Sequence, residues 1–70
     1  MNRVPVTSSN VAAVGYASVT RTLEVQFNDG SVYQYLDVPP ELHEGLMAAP
    51  SVGRYLDQYI KKADYRYTKL

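Results

Sequence analysis

Apolar and polar residues alternate with a period of two along Leu23-Glu24-Val25-Gln26-Phe27. In an extended chain this puts Leu23, Val25 and Phe27 on one face and Glu24 and Gln26 on the other, so residues 22–28 read as a half-buried strand. The apolar run Val11-Ala12-Ala13-Val14-Gly15-Tyr16-Ala17 reads as another strand over 11–17. Val14 and Tyr16 share one of its faces, Ala13 and Gly15 the other, and a glycine inside a strand signals a bulge or a close backbone approach. Before it, Pro5 and Thr7-Ser8-Ser9-Asn10 form a lead-in in which Val4 and Val6 suit a short edge strand.

The turn after the 22–28 strand decides which way Tyr33 and Tyr35 point. A two-residue Asp29-Gly30 loop pairs Phe27 with Val32 and leaves both tyrosines on the polar face. A three-residue Asn28-Asp29-Gly30 loop is a type I turn with glycine in the left-handed position, forming a bulge, and it pairs Val25 with Tyr33 and Leu23 with Tyr35. The second is preferred. Asn and Asp suit the right-handed turn positions, glycine falls where φ must be positive, and so small a domain has no large aromatic to spare from its core.

Val38-Pro39-Pro40 ends the sheet, because proline lacks the amide that a ladder needs. A helix follows over about 40–48: Pro40 opens it, Glu41 and Glu44 suit its positive end, and Leu42 with Leu46 forms an i, i+4 apolar pair. Ser51 reads as the N-cap of a second helix over about 52–63. Val52, Leu56, Tyr59 and Ala63 fall on one stripe of it, flanked by Tyr55 and Ile60. Arg54, Asp57 and Lys61 occupy the far side at spacings that suit a ladder of charge pairs. Residues 64–70 are either a frayed tail or a short added strand. The expected architecture is a single α+β domain over 1–70, a three-stranded antiparallel β-meander followed by two helices packed on one face. Its core is expected to hold Val14, Tyr16, Leu23, Val25, Phe27, Tyr33, Tyr35, Leu42, Leu46, Leu56, Tyr59 and Ile60.

Composition sharpens this in two places. The chain has no cysteine and no tryptophan but seven tyrosines, so neither disulfides nor zinc-thiolate sites staple the fold, and tyrosine bodies thicken a thin core. Seven basic residues balance seven acidic ones, which leaves no global field to draw in nucleic acid. The charges are uneven, however: Arg54, Lys61, Lys62, Arg66 and Lys69 outweigh Asp57 and Asp64 in the last seventeen residues, and the first fifty-three carry the acidic excess. No apolar run reaches the roughly 20 residues of a membrane helix, and the N-terminus lacks the apolar segment of a signal peptide. A cytoplasmic, membrane-free protein is expected.

Candidate chemistry is sparse. His43 is the single histidine, so no second imidazole or thiol completes a metal site. Ser8-Ser9 lacks a Gly-x-Ser-x-Gly context and reads as a turn or cap whose hydroxyls bond the backbone. The acidic residues sit in no apolar context that would raise a pKa for general acid work. The expectation is a non-enzyme with no cofactor. Nucleic-acid binding has more to build on: aromatics stack unpaired bases and cations meet phosphates. Arg54, Lys61, Lys62 and Arg66, with Tyr65 and Tyr67 interleaved among the cations near the C-terminus, are the candidate RNA-binding residues.

Ser8-Ser9, Val14-Gly15-Tyr16, Leu23-x-Val25-x-Phe27-x-x-Gly30, Tyr33-x-Tyr35, Val38-Pro39 and Ser51-x-Gly53 follow one another in order. Over about residues 6–61 this series resembles the KTSC domain, a short bacterial module named for its occurrence at the C-terminus of some lysyl-tRNA synthetases and found also as a stand-alone protein. Ser8, Ser9, Tyr16, Tyr33, Tyr35 and Gly53 match the family pattern as structural positions. The resemblance implies a small non-catalytic binding module with RNA, tRNA included, as the expected partner. The alternative is a protein-interaction module, monomeric or homodimeric, that docks through a sheet edge or an aromatic patch.

Overall fold

A computed structural model describes residues 2–70. Five strands, β1 (Val4–Pro5), β2 (Val11–Ala17), β3 (Thr22–Phe27), β4 (Val32–Tyr35) and β5 (Tyr67–Lys69), form one antiparallel sheet in sequential order. Helices α1 (Pro40–Ala48) and α2 (Val52–Leu56) lie between β4 and β5, and α2 runs on into a π-helical turn over Asp57–Lys61. The α+β class is as expected, but the sheet has five strands rather than three. The two additions are edge strands of two and three residues, too short for periodicity to announce.

The β3–β4 hairpin takes the three-residue turn. Gly30 has φ +92°, the Phe27 amide donates to Ser31 O at 2.8 Å, and the Gly30 amide donates to Phe27 O at 3.0 Å. Leu23 consequently pairs with Tyr35 and Val25 with Tyr33. The ladder sets side chains in cross-strand rows, one running Val4–Val14–Val25–Tyr33–Lys69 and the next Tyr16–Leu23–Tyr35–Tyr67. Both rows face the helices, whose Leu46, Val52, Leu56 and Ile60 close the core over Val14, Leu23 and Val25. The strand bulge falls at Ala12, where the β2–β3 register shifts, and not at Gly15.

The π turn changes the second helix. Of the expected stripe of Val52, Leu56, Tyr59 and Ala63, Val52 and Leu56 are buried, and so is Ile60 as expected, but Ala63 is exposed and Tyr59 is 46% exposed, packing its ring against Tyr55 at 4.5 Å. The wide i→i+5 turn, marked by the Lys62 amide donating to Asp57 O at 3.0 Å, slips the inward face by one residue. The charge pairing slips with it. Asp57 pairs with Lys62 at 3.5 Å rather than with Lys61, which is left to point elsewhere. Val11, Val38 and Val52 join the core beyond the expected set, and Tyr16, Phe27, Tyr33 and Leu42 are half-buried against it.

Candidate nucleic-acid interface

Helical cover does not extend to the β4–β5 end of the sheet face. There the rows finish in Tyr33, Tyr35, Tyr67 and Lys69, and the chain leaving the π turn brings Asp64 and Tyr65 alongside. The result is an open recess of about 460 Å³ lined by Phe27, Ser31, Tyr33, Tyr35, Lys61, Asp64, Tyr65 and Tyr67.

Its rings form a connected cluster. Tyr33 meets Phe27 edge-on at 5.6 Å between centroids, lies near-parallel to Tyr35 at 6.4 Å and is tilted against Tyr67 at 5.8 Å. Tyr35 and Tyr67 are 5.9 Å apart. Two ammonium groups attend the cluster: Lys61 Nζ lies 4.9 Å from the Phe27 ring centroid and Lys69 Nζ 5.8 Å from that of Tyr33, both within cation–π range. Tyr35 is the floor, 4% exposed, whereas Tyr67 is 62% exposed. Burial, then the neighbouring Tyr33 and Tyr67 phenols, push the Tyr35 hydroxyl pKa above its usual value, so it stays neutral. At the hairpin tip, the Ser31 hydroxyl and amide donate to Asp29 Oδ1 at 2.6 and 2.9 Å; the hydroxyl first, then the amide, hold the Asp29 carboxyl below its ordinary pKa.

A second, more polar groove of about 390 Å³ is lined by Ser9, Asn10, Ser51, Gly53, Arg54, Asp57, Gln58 and Lys62. Near it, several residues of the family pattern are held by hydrogen bonds and close packing. The Ser8 hydroxyl donates to Asn10 Oδ1 at 3.1 Å and accepts from the Val11 amide at 3.3 Å. Asn28 Nδ2 donates to Ser9 O at 3.0 Å, tying the β3–β4 turn to the β1–β2 connection. A Cβ on Gly53 would overlap Asn10 Oδ1, so glycine lets α2 seat against this connection. Ser51 caps α2, accepting from the Arg54 amide at 3.4 Å. Tyr16 donates its hydroxyl to Val38 O and stacks on His43 at 4.7 Å and 8°. Burial pushes the His43 pKa below its ordinary value, with Glu44 partly opposing.

The six candidate RNA-binding residues therefore do not share one surface. Lys61, Tyr65 and Tyr67 converge on the aromatic recess, Arg54 and Lys62 line the polar groove, and Arg66 is exposed between Tyr65 and Tyr67, its carbonyl accepting from the Leu36 amide at 2.8 Å. The sequence did not mark Phe27 and Asp64 as members of the recess, and Lys69, one of the cations near the C-terminus, stands over the Tyr33 ring beside it. The alternation of Tyr65, Tyr67 and Lys69 in an extended tail puts all three on one face. Among the described residues, no three His, Cys, Asp or Glu side chains cluster as a metal site, and no helix is long and apolar enough to cross a membrane.

Against known families, the KTSC domain model matches residues 7–67. This chain belongs to the KTSC domain family. A crystal structure of a KTSC domain protein from Yersinia pestis superposes with a TM-score of 0.90 at 41% identity, covering 99% of this chain and 96% of that one. An uncharacterized protein of Stutzerimonas stutzeri is 40% identical over 70 residues, 100% of this chain and 99% of its own length. A lysine–tRNA ligase of Nostoc punctiforme is 42% identical over 53 residues, 76% of this chain but only 9% of the ligase. The KTSC fold thus occurs both in small proteins and as a minor part of a much larger enzyme.

Proposed function

We propose that this KTSC protein is a single-domain, non-catalytic cytoplasmic module that binds RNA by stacking unpaired bases in the recess between Tyr33, Tyr65 and Tyr67. The observation that carries the reading is the convergence of five aromatic rings and Lys61 on one open recess, with the Lys69 ammonium over the Tyr33 ring beside it. Ring faces accept any base, and cations beside them meet the phosphates, which is how single strands are held. The related segment in lysine–tRNA ligases, enzymes whose substrate is an RNA, points the same way. Arg66 stands near the recess, and Arg54 and Lys62 line the polar groove, as further phosphate contacts. The test is fluorescence anisotropy with bulk tRNA and a mixed single-stranded RNA. Binding weakens steeply as salt rises. Lys61→Glu and Tyr65→Ala weaken it further, and Lys62→Glu, already paired with Asp57, does so less. Affinity indifferent to salt and to both recess variants overturns the reading.

A second reading, docking of a protein or a second copy, is favoured by one observation. β5 ends the sheet with its outer edge unpaired, and Tyr67 and Leu70 beside it are exposed. Association of that kind responds little to salt.

A further inference from the structure

Asp64 is the one carboxylate-bearing residue among those lining the aromatic recess. It is exposed, it lies three residues past the π turn, and its backbone is left-handed at φ +65°, with its amide donating to Lys61 O at 3.4 Å. A non-glycine residue in that region is uncommon, and Asp and Asn are the types that tolerate it. The chain turns sharply there, so Asp64 and the adjacent Tyr65 both border the same opening.

We propose that the recess selects guanine: the base stacks on the tyrosines while the Asp64 carboxylate accepts hydrogen bonds from its N1–H and N2–H groups. This rests on the RNA reading and adds base identity to it. The chemistry is specific. An ionised carboxylate offers two acceptors and no donor. Guanine alone of the four RNA bases presents two adjacent donors on its Watson–Crick edge. Adenine and cytosine set one amino group beside a ring acceptor, and uracil sets one N–H between two carbonyls, so each meets a carboxylate with one bond and one repulsion. Unpaired bases are read on that edge in single strands. An aromatic recess with an acid at its edge also suits a quaternary ammonium ligand. Here Lys61 and Lys69 already place ammonium groups over Phe27 and Tyr33, which repels a further cation and favours a neutral ring carrying a phosphate.

The test is anisotropy with uridine tracts carrying one central guanosine, inosine, adenosine or cytidine, on the intact protein and on Asp64→Asn. Asparagine suits the left-handed backbone, so the variant keeps its fold, which its amide spectrum verifies. The wild type binds the guanosine tract about tenfold more tightly than the adenosine or cytidine tracts, the size of one bidentate base contact. Inosine, which lacks the N2 amino group, falls between. Asp64→Asn removes a negative charge, which strengthens binding of the adenosine and cytidine tracts, and also removes the guanine contact, so the guanosine-to-adenosine ratio is the readout, and it collapses toward one. Equal affinities in the wild type, or a ratio that survives Asp64→Asn, overturn the guanine assignment alone. No binding to any tract by either protein overturns the RNA reading with it.

Discussion

The two ends of one sheet face contrast sharply. At β2 and β3 the rows are Val14–Val25 and Tyr16–Leu23, covered by Leu46, Leu56 and Ile60 and mostly sealed from water. Two strands along, the same rows become Tyr33–Lys69 and Tyr35–Tyr67, and the helices have run out. Aliphatic side chains serve where both sides are dry. Tyrosine serves where one end of the residue meets solvent, because its ring packs while its hydroxyl stays hydrated. The hydrophobic face of this sheet therefore has a core at one end and an open aromatic recess at the other, with no change in strand register between them. Pointing inward and being available to a ligand are not opposites in so thin a domain.

The sharpest way to break this contrast lies at its boundary. Tyr35 belongs to the core despite its place in the recess, so Tyr35→Ala costs about 3–5 kcal/mol by urea denaturation. A loss near that expected for its neighbour Tyr33 would show that the boundary is misplaced. Next comes Gly53→Ala, in which the added methyl group meets Asn10 and pushes α2 off the β1–β2 connection. We expect a loss of about 1–3 kcal/mol with RNA affinity in the folded fraction unchanged. Tyr33→Ala is the reciprocal of Tyr35→Ala. Being half-buried, Tyr33 gives up only about 1–2 kcal/mol of stability, but binding weakens by about 1–3 kcal/mol through the lost stacking surface. Wild-type affinity in Tyr33→Ala would turn the recess back into mere core.

The smallest effect is a pH dependence at the covered end. Burial holds the His43 pKa below its usual 6.5, so the folded state favours the neutral ring stacked on Tyr16. The unfolded chain then binds the proton more readily, and stability present above about pH 6.5 is lost as pH falls toward the folded pKa. His43→Phe keeps a stacking ring and removes this part of the acid response. A melting temperature equally acid-sensitive in both proteins would place the effect elsewhere.

Much of this was legible in the residues. The Asn28-Asp29-Gly30 turn carried its register in its chemistry, because the three-residue loop asks a positive φ of glycine alone and leaves Asn28 and Asp29 right-handed, whereas a two-residue loop needs it of Asp29 as well, and α1 was bounded by Pro40 and Ala48 as expected. Two features escaped for physical reasons. The π turn leaves no signature in a 3.6-residue period, so Tyr59 was assigned inward and Asp57 was paired with Lys61 rather than Lys62. The recess depends on β5, whose three residues become a strand only because β4 offers a free edge, and on where helical cover stops. Tertiary fit sets both, and composition sets neither. The family residues Ser8, Ser9 and Gly53 were visible as a pattern, but their joint seating against Asn10 and Asn28 appears only once the β1–β2 connection meets α2.

The central claim is that the uncovered end of the sheet face is the binding surface. Its most direct test is an amide NMR titration of the whole chain with bulk tRNA and a mixed single-stranded RNA, at low and at moderate salt. The account predicts salt-sensitive shifts clustered on Phe27, Tyr33, Lys61, Tyr65 and Tyr67, with Val14, Leu23 and Leu56 unmoved. A silent spectrum, or shifts confined to the β1 edge and the polar groove around Ser9 and Arg54, would contradict it.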